Sequence, residues 1–301
     1  MSNKLTFKIR EHEGSKIKDY LKSVELLSSR LIRGAAKEGR IKVNGERVNL
    51  RYILQADDVV EVDINKEESQ DIEPEDMNLK VIYEDDDIIA VDKPPGIVVH
   101  PTKSHLSGTL ANGILYYFKE KGENCIVRLV SRLDMDTSGV IIIAKNQFSH
   151  AALSREMQEN TFKKEYIALV HGVIDKSEGT IDLPIYRVGE GTIKRVIDER
   201  GQRSVTHYEV LETFKNATLV KLLLETGRTH QIRVHLSHLG FPLFGDKIYG
   251  EENNDEEYIN RQALHAYKVG FPHPKDKHIV NLESPLPEDM KSLIEKLKAL
   301  G

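Results

Sequence analysis

An acidic, proline-containing segment divides the chain into a short N-terminal part and a long C-terminal part. Residues 66–77 read KEESQDIEPEDM and have no apolar period that would predict a helix or a strand. The 301 residues are enough for about two domains of ordinary size. The sequence therefore predicts an N-terminal domain over residues 1–65, a linker over residues 66–77 and a C-terminal domain over residues 78–301.

The charge of the chain is unevenly distributed. The net charge of −5 on its own argues against a polyanionic partner. Residues 1–50, however, hold 12 Lys and Arg against 6 Asp and Glu, whereas residues 66–90 hold 2 against 10. Such asymmetry is a hint of nucleic-acid binding by the basic part, although charged runs are more often plain solvated surface.

The composition excludes several classes of protein. The longest aliphatic run is residues 140–144, far short of the ~20 apolar residues that a membrane-spanning helix needs. Cys125 is the sole cysteine, so we expect neither a disulfide nor a cysteine-based zinc site. The first ten residues do not resemble a signal peptide. We therefore expect a cytoplasmic protein without a membrane partner.

The N-terminal part combines two predicted helices with a hairpin. One helical face is formed by Ile17, Tyr20, Leu21 and Val24. Ser28 is placed to open a second helix, and residues 41–48 predict two short strands joined at an Asn-Gly turn.

Basic residues gather around the second helix and the first strand of this part. They are Arg30, Arg33, Lys37, Arg40 and Lys42. Over residues 12–65 the pattern resembles the S4 domain, a small RNA-binding module. The resemblance implies that these side chains contact the phosphate backbone of RNA.

Strands and helices follow one another irregularly in the C-terminal part. The apolar pattern predicts strands at 87–92, 140–144, 167–170 and 217–224. It predicts helices around residues 110–118 and 232–239, the second closed by Gly240. This order predicts an α+β domain with a mixed, mostly antiparallel sheet.

Polar residues are concentrated in four stretches, at 92–101, 131–139, 163–170 and 225–246. The first three also have ordinary explanations: a rigid proline turn, a cap or turn at Asp134, and a packing role for Tyr166. In the fourth, a cap at Thr229 would make His230, Gln231 and Arg233 project from the first helical turn, where backbone N–H groups attract anions.

Metal sites receive little support from the sequence. An Asp134-x-Asp136 pair could ligate a metal bound to a nucleotide sugar. His230, His235 and His238 lie five and eight residues apart, which places them around a helix and not on one face. We expect no metal.

Taken together, the four stretches resemble the RluA family of pseudouridine synthases. The matching segments are Lys93-Pro-Pro-Gly followed by Val99-His-Pro, then Arg132-Leu-Asp-Met-Asp-Thr-Ser-Gly, then Lys164-Glu-Tyr, then Thr226-Gly-Arg-Thr-His-Gln-Ile-Arg. Residues 204–208 and 261–266 match two further signatures, so the resemblance covers residues 78–275. Ser131 stands where many members have His, which bears on RNA fit more than on chemistry.

The resemblance implies a set of roles. Asp134 would be the catalytic carboxylate, Arg233 the guanidinium that keeps it charged, and Tyr166 the ring that stacks on uracil and accepts the C5 proton. Arg132 would fill the space that a flipped base leaves. Supporting roles would fall to Lys93, His100, Thr137, Arg228, His230 and Gln231. No cofactor is implied.

The same resemblance points to structured RNA as the substrate. An S4-like domain before this catalytic pattern favours large-subunit (23S) ribosomal RNA, with tRNA possible, and we expect a monomer. Two alternatives stay open: an RNA-binding protein without activity, and a metal-dependent sugar-nucleotide transferase. Asp134 attacking C6, attacking C1′ or deprotonating the ribose are all compatible with the sequence.

Overall fold

The computed structural model describes residues 4–64, 70–102, 104–189, 191–250 and 255–300. Residues 1–3, 65 and 301 of the two predicted domains and residues 66–69 of the predicted linker lie outside the described residues.

The N-terminal part packs two helices on a small sheet. Its elements are β1 (Lys4–Lys8), α1 (Ile17–Ser23), α2 (Ser29–Lys37), β2 (Ile41–Val43), β3 (Glu46–Arg47) and β4 (Val59–Asp63). The strand order is β1-β4-β2-β3, and one apolar cluster joins sheet and helices.

Local sequence signals explain these elements. The Ser28 hydroxyl accepts the N–H of Leu31 and caps α2. Asn44 and Gly45 have φ of +52° and +86°, the left-handed pair that a two-residue hairpin turn requires. Val24 departs from the prediction, because α1 ends at Ser23 and Val24 is exposed.

The C-terminal part is built on one large sheet. Its elements are β5 (Lys80–Glu84), β6 (Ile88–Lys93), α3 (Leu110–Glu120), β7 (Arg128–Leu129), β8 (Ser138–Ala144), α4 (Gln147–Gln158), β9 (Lys163–His171), β10 (Glu178–Asp182), β11 (Ile185–Arg187), β12 (Arg195–Ile197), β13 (Val205–Thr213), β14 (Ala217–Leu224), α5 (Gln231–His238), β15 (Leu264–Pro272), β16 (Ile279–Glu283) and α6 (Glu288–Ala299).

Within the described ranges this sheet has ten strands. Eight follow the order β10-β13-β14-β9-β15-β8-β6-β5, while β16 pairs with β15 and β7 with β8. Each neighbouring pair is antiparallel except β8 and β15, which are parallel. The α+β prediction with a mixed, mostly antiparallel sheet is confirmed.

Helices cover both faces of the sheet. Tyr166 and Ala168 of β9 face the core that α3 and α5 share, whereas Ile167 and Leu169 face α6. The central strand β8 is buried along its whole length, because α3 and α5 lie on one side of the sheet and α4 on the other.

Residues 70–77 of the predicted linker form no helix or strand, as expected, but they are not a free tether. Asn112 of α3 donates to the Glu73 carbonyl at 2.7 Å, and Glu75 accepts the N–H of Gly108. Ile72 packs on the main core. The acidic segment therefore lies along α3.

The N-terminal part also contacts α4. Phe148 packs against its apolar cluster, and Arg155 donates to the Leu26 carbonyl at 3.2 Å. None of the helices in the described ranges has the length and apolar character needed to cross a bilayer.

Candidate active site

Asp134 lies on a short loop that enters the central strand β8. The loop turns at 134–137, where the Thr137 N–H donates to the Asp134 carbonyl at 3.1 Å. Two cationic side chains fix it by its backbone: Lys93 donates to the Met135 carbonyl at 2.7 Å, and Arg261 donates to the Asp136 carbonyl at 3.1 Å. Asp134 is thus held on a rigid support next to positive charge.

Lys93 is fully buried at the end of β6 and donates to two further carbonyls, those of Pro94 and Ile97. Burial lowers the pKa of Lys93 to about 7. Its three acceptors are all backbone oxygens, so its role in the structure is to join the proline turn to the Asp134 loop.

Arg233 of α5 binds two aspartates. Its Nη1 donates to Asp134 Oδ2 at 3.0 Å, while Nε and Nη2 donate to the two oxygens of Asp246 at 2.7 and 2.8 Å. Burial opposes the charged guanidinium, but Asp246 and Asp134 outweigh it and raise the pKa of Arg233. The predicted pairing of Arg233 with Asp134 is present, in a larger arrangement.

Sequence reasoning did not single out Asp246. Its side chain is fully buried, and it also accepts the backbone N–H groups of Ile248 and Tyr249. Burial opposes its charge, yet Arg233 and these N–H groups lower the pKa of Asp246. The signal available in the sequence was the Gly245-Asp246 pair that ends the fourth polar stretch. In the structure Gly245 has a φ of +68°, and a Cβ there would lie 2.1 Å from the Arg261 carbonyl oxygen, so the turn requires glycine.

The two oxygens of Asp134 have different surroundings. Oδ2 bonds Arg233 and lies 3.8 Å from His230 Nε2. Oδ1 makes no hydrogen bond within the described residues, and the side chain is 26% exposed. One oxygen is therefore held by Arg233, while the other has no hydrogen-bond partner among the described residues on a partly exposed side chain.

His230 is held in a strained conformation beside this pair. Its φ is +57°, uncommon for a residue with a Cβ, and such strain often accompanies functional sites. Its Nδ1 lies 2.9 Å from the Tyr249 hydroxyl, which accepts the Arg195 N–H at 2.9 Å. Burial lowers the pKa of His230 and favours the neutral ring.

The contact between the Tyr249 hydroxyl and Nδ1 orients the His230 ring, and Nε2 is the ring nitrogen that lies 3.8 Å from Asp134 Oδ2. The Tyr249 ring also lies 5.2 Å from the guanidinium carbon of Arg233.

The start of α5 differs from the expected cap at Thr229. His230 occupies the cap position, its side chain makes no capping hydrogen bond to the helix, and Gln231 folds inward. Gln231 accepts from Thr226 and Arg228 and donates to Val205 and Thr206. Because these bonds satisfy the amide, Gln231 supports the loop and does not project toward an anion. His235 is likewise buried and bonded to Thr206 and Leu183.

Tyr166 lies on β9, largely buried, with no hydrogen-bond partner for its hydroxyl in the described ranges. Burial and the charge of Asp134 raise the pKa of Tyr166. Thr137 is buried and accepts from Gln262 at 3.3 Å.

Other predicted residues lie on the surface. Arg132 is exposed beside Asp134. Arg228 is exposed, and among the described residues its side chain reaches the Arg203 carbonyl, at 3.5 Å. His100 is exposed without a polar contact among the described residues, so the structure does not join it to Asp134.

The basic residues of the N-terminal part divide into two groups. Arg30, Arg33 and Lys37 are exposed along α2. Arg40 is 14% exposed, pairs with Glu38 and donates to the Asp63 carbonyl, while Lys42 on β2 is half-buried. The first group is the one available to a phosphate backbone.

Candidate metal ligands lie elsewhere. In the described ranges, groups of His and Asp with ligand spacing occur at 85–87 with His273 and at 273–278. Neither includes Asp134 or Asp136.

Comparisons with known proteins agree with this geometry. The model of the RNA pseudouridylate synthase family matches residues 87–238, and the S4 domain model matches residues 17–60. The RNA pseudouridine synthase YlyB of Bacillus subtilis is 42% identical over 97% of each chain. Ribosomal large subunit pseudouridine synthase D of Pseudomonas aeruginosa is 38% identical over 88% of this chain and 86% of its own.

A solved structure, human RNA pseudouridylate synthase domain containing 1, is 29% identical with a TM-score of 0.57 and covers 76% of this chain and 98% of its own. The chain therefore belongs to the RNA pseudouridine synthase family, enzymes that isomerise uridine in RNA, and it carries an S4 domain at its N-terminal end.

Proposed function

We propose that the chain converts specific uridines of large-subunit ribosomal RNA to pseudouridine, with Asp134 as its catalytic carboxylate and without a cofactor. The observation that carries this proposal is the asymmetry of Asp134: Arg233 holds Oδ2, while Oδ1 has no hydrogen-bond partner in the described ranges and the side chain is partly exposed. Relatives named ribosomal large subunit pseudouridine synthase D support the choice of RNA.

The isomerisation of uridine to pseudouridine requires an ionised carboxylate. Pseudouridine formation breaks the C1′–N1 bond and forms a C1′–C5 bond; N1 gains a proton and C5 loses one, so no electrons are exchanged with a cofactor. An ionised Oδ1 can attack C6 or C1′, or remove a ribose proton. Each route needs the same charge, which Arg233 stabilises.

Tyr166 fits a role late in this sequence. Its ring faces the Asp134 side of the sheet, and base–aromatic stacking contributes ~1–3 kcal/mol. Burial and the charge of Asp134 both disfavour the phenolate, so Tyr166 holds its proton before the reaction. The hydroxyl would therefore take the C5 proton as it gives its own proton to N1, which leaves Tyr166 neutral at the end.

Arg132 and the basic side chains of α2 would contact the RNA. A uridine must leave its stack to reach Oδ1, which costs a few kcal/mol. Arg132 is exposed two residues before Asp134, and we expect it to fill the vacated space. Arg30, Arg33 and Lys37 would hold the surrounding backbone.

The test uses purified protein and transcripts of large-subunit rRNA and tRNA, with pseudouridine mapped by carbodiimide treatment and primer extension. We expect site-specific product with the wild type, and at least ~1,000-fold less with Asp134→Asn, because the neutral amide cannot act as the charged group. Asp136→Asn is the matched control and should stay within tenfold.

EDTA should leave the product unchanged. Equal rates for Asp134→Asn and the wild type would contradict the proposal. Loss in both aspartate variants together with loss in EDTA would favour the metal-dependent alternative.

A further inference from the structure

Lys164 lies two residues before Tyr166 on the same face of β9, because side chains alternate along a strand. The two Cα atoms are separated by ~7 Å. Lys164 Nζ reaches the loop before α5, where it lies 3.4 Å from the position that a Cβ on Gly227 would take. This loop leads to His230, whose Nε2 lies 3.8 Å from Asp134 Oδ2, so Lys164 contacts a segment that carries a residue of the site.

The side chain of Lys164 is half-buried and its ammonium has no hydrogen bond or ion pair in the described ranges. Burial lowers the pKa of Lys164. The two buried lysines differ: Lys93 donates to three carbonyls, and Lys145 pairs with Glu84 and Glu123.

An unpaired, partly desolvated ammonium lowers stability, and an anion placed beside it reverses that loss. The neighbouring Glu165 points to the opposite face of the strand and does not supply one.

We propose that Lys164 binds a backbone phosphate of the RNA next to the uridine that stacks on Tyr166. This inference rests on the proposed function for the identity of the anion. An ammonium on a flexible stem is a good point charge for a phosphate, and Gly227 leaves room beside it. The contact would orient the flipped nucleotide while Asp134 reacts.

The chain offers a matched control in Lys163, which is exposed on the opposite face of β9. Affinity for the substrate RNA would be measured over a range of salt concentrations for Lys164→Met, Lys163→Met and Lys164→Arg, together with single-turnover rates at saturating RNA. Loss of one phosphate contact should make the slope of log affinity against log salt less steep by ~0.7–0.9.

We expect the less steep slope in Lys164→Met, no change in Lys163→Met, and recovery of the wild-type slope in Lys164→Arg. The single-turnover rate of the control Lys163→Met should stay within threefold of the wild type. The melting temperature of Lys164→Met should equal or exceed that of the wild type, since it removes a desolvated charge. If Lys164→Met folds poorly, Lys164→Gln serves as a second neutral replacement.

An unchanged slope in Lys164→Met overturns the proposal, as does an equal change in Lys163→Met. A normal slope with a lost single-turnover rate would instead assign Lys164 a contact to the uracil. If the wild type makes no pseudouridine, the proposed function fails, while the slopes still report whether Lys164 contacts RNA.

Discussion

At the scale of single residues, one guanidinium serves two carboxylates. Arg233 holds Asp246 with two hydrogen bonds and Asp134 with one, so two of these three bonds go to the buried partner. Asp246 thereby fixes the plane of the guanidinium, and an N–H of Nη1 is aimed at Asp134. We regard Asp246 as a positioning residue and Asp134 as the reacting one.

Because Asp246 is buried and Asp134 is partly exposed, two similar substitutions should change the free energy of unfolding by different amounts. Asp246→Asn removes the buried partner of Arg233 and should lower the free energy of unfolding at pH 7 by about 3–5 kcal/mol. Asp134→Asn leaves the Arg233–Asp246 pair intact and should change the free energy of unfolding by less than ~1 kcal/mol. Urea denaturation of both variants measures the difference, and equal destabilisation would contradict it.

The Arg233–Asp246 pair predicts that the free energy of unfolding depends on pH. The pKa of Asp246 is below its unfolded value of 3.8, so its contribution to stability is present above that pH and is lost as the pH falls through the folded pKa. The stability gap between the wild type and Asp246→Asn should therefore be widest near pH 7 and narrow below pH 3.8. Urea unfolding at pH 7, 5 and 3 tests this, and a constant gap would count against it.

Tyr166 offers a test of the proton-transfer step. Tyr166→Phe keeps the ring for stacking but lacks the hydroxyl that would accept the C5 proton. We expect RNA affinity within threefold of the wild type and a single-turnover rate lower by at least ~100-fold, in the range of general-base effects. Normal turnover would show that the hydroxyl takes no part.

At the scale of elements, regular periodicity was predictable and long-range contacts were not. Strand β14 coincides with the predicted 217–224, and α3 and the hairpin at Asn44-Gly45 follow their local signals. The start of α5 departs because tertiary contacts hold His230 in a left-handed conformation that no local rule selects. The role of Asp246 was not predicted, because its pairing with Arg233 depends on the turn at Gly245 and not on helical spacing.

The parallel junction between β8 and β15 depends on a glycine. Gly139 has a φ of +113°, and a Cβ there would lie 2.2 Å from the Ala266 carbonyl oxygen. The β15 strand that approaches it also pairs with β9 at Tyr166. No residue other than glycine fits without moving the strand next to the Asp134 loop.

Gly139→Ala should accordingly lower the free energy of unfolding by ~3 kcal/mol or more, through strain and overpacking. Gly122→Ala is the control, since its φ of +68° is also positive but its Cβ position is open. It should cost ~1–2 kcal/mol. Urea denaturation compares them, and similar costs would contradict a packing role for Gly139.

At the scale of the whole molecule, the net charge of −5 conceals a basic helix on the S4 domain. Arg30, Arg33 and Lys37 are exposed along α2, whereas Arg40 is occupied by Glu38 and the Asp63 carbonyl. The residues free to meet RNA are thus fewer than the sequence suggested. The difference in side-chain exposure between Arg40 and the other three basic residues could not be predicted from their spacing in the sequence.

Replacing Arg30, Arg33 and Lys37 together by Gln should make the slope of log RNA affinity against log salt less steep by ~2–3, as three phosphate contacts would require. Replacing Lys16, Lys18 and Lys22 by Gln removes the same charge from the region of α1 and should change the slope by less than ~1. Equal changes in the two triple variants would mean that α2 has no special contact with RNA.

We propose that this chain modifies large-subunit ribosomal RNA through Asp134. Pseudouridine mapping of rRNA and tRNA tests this proposal directly, with RNA from cells that lack the gene and are complemented with the wild type or with Asp134→Asn. We predict that one or more large-subunit rRNA sites lose pseudouridine in the deletion, regain it with the wild type and stay unmodified with Asp134→Asn. Unchanged large-subunit rRNA in the deletion, or full restoration by Asp134→Asn, would contradict the account.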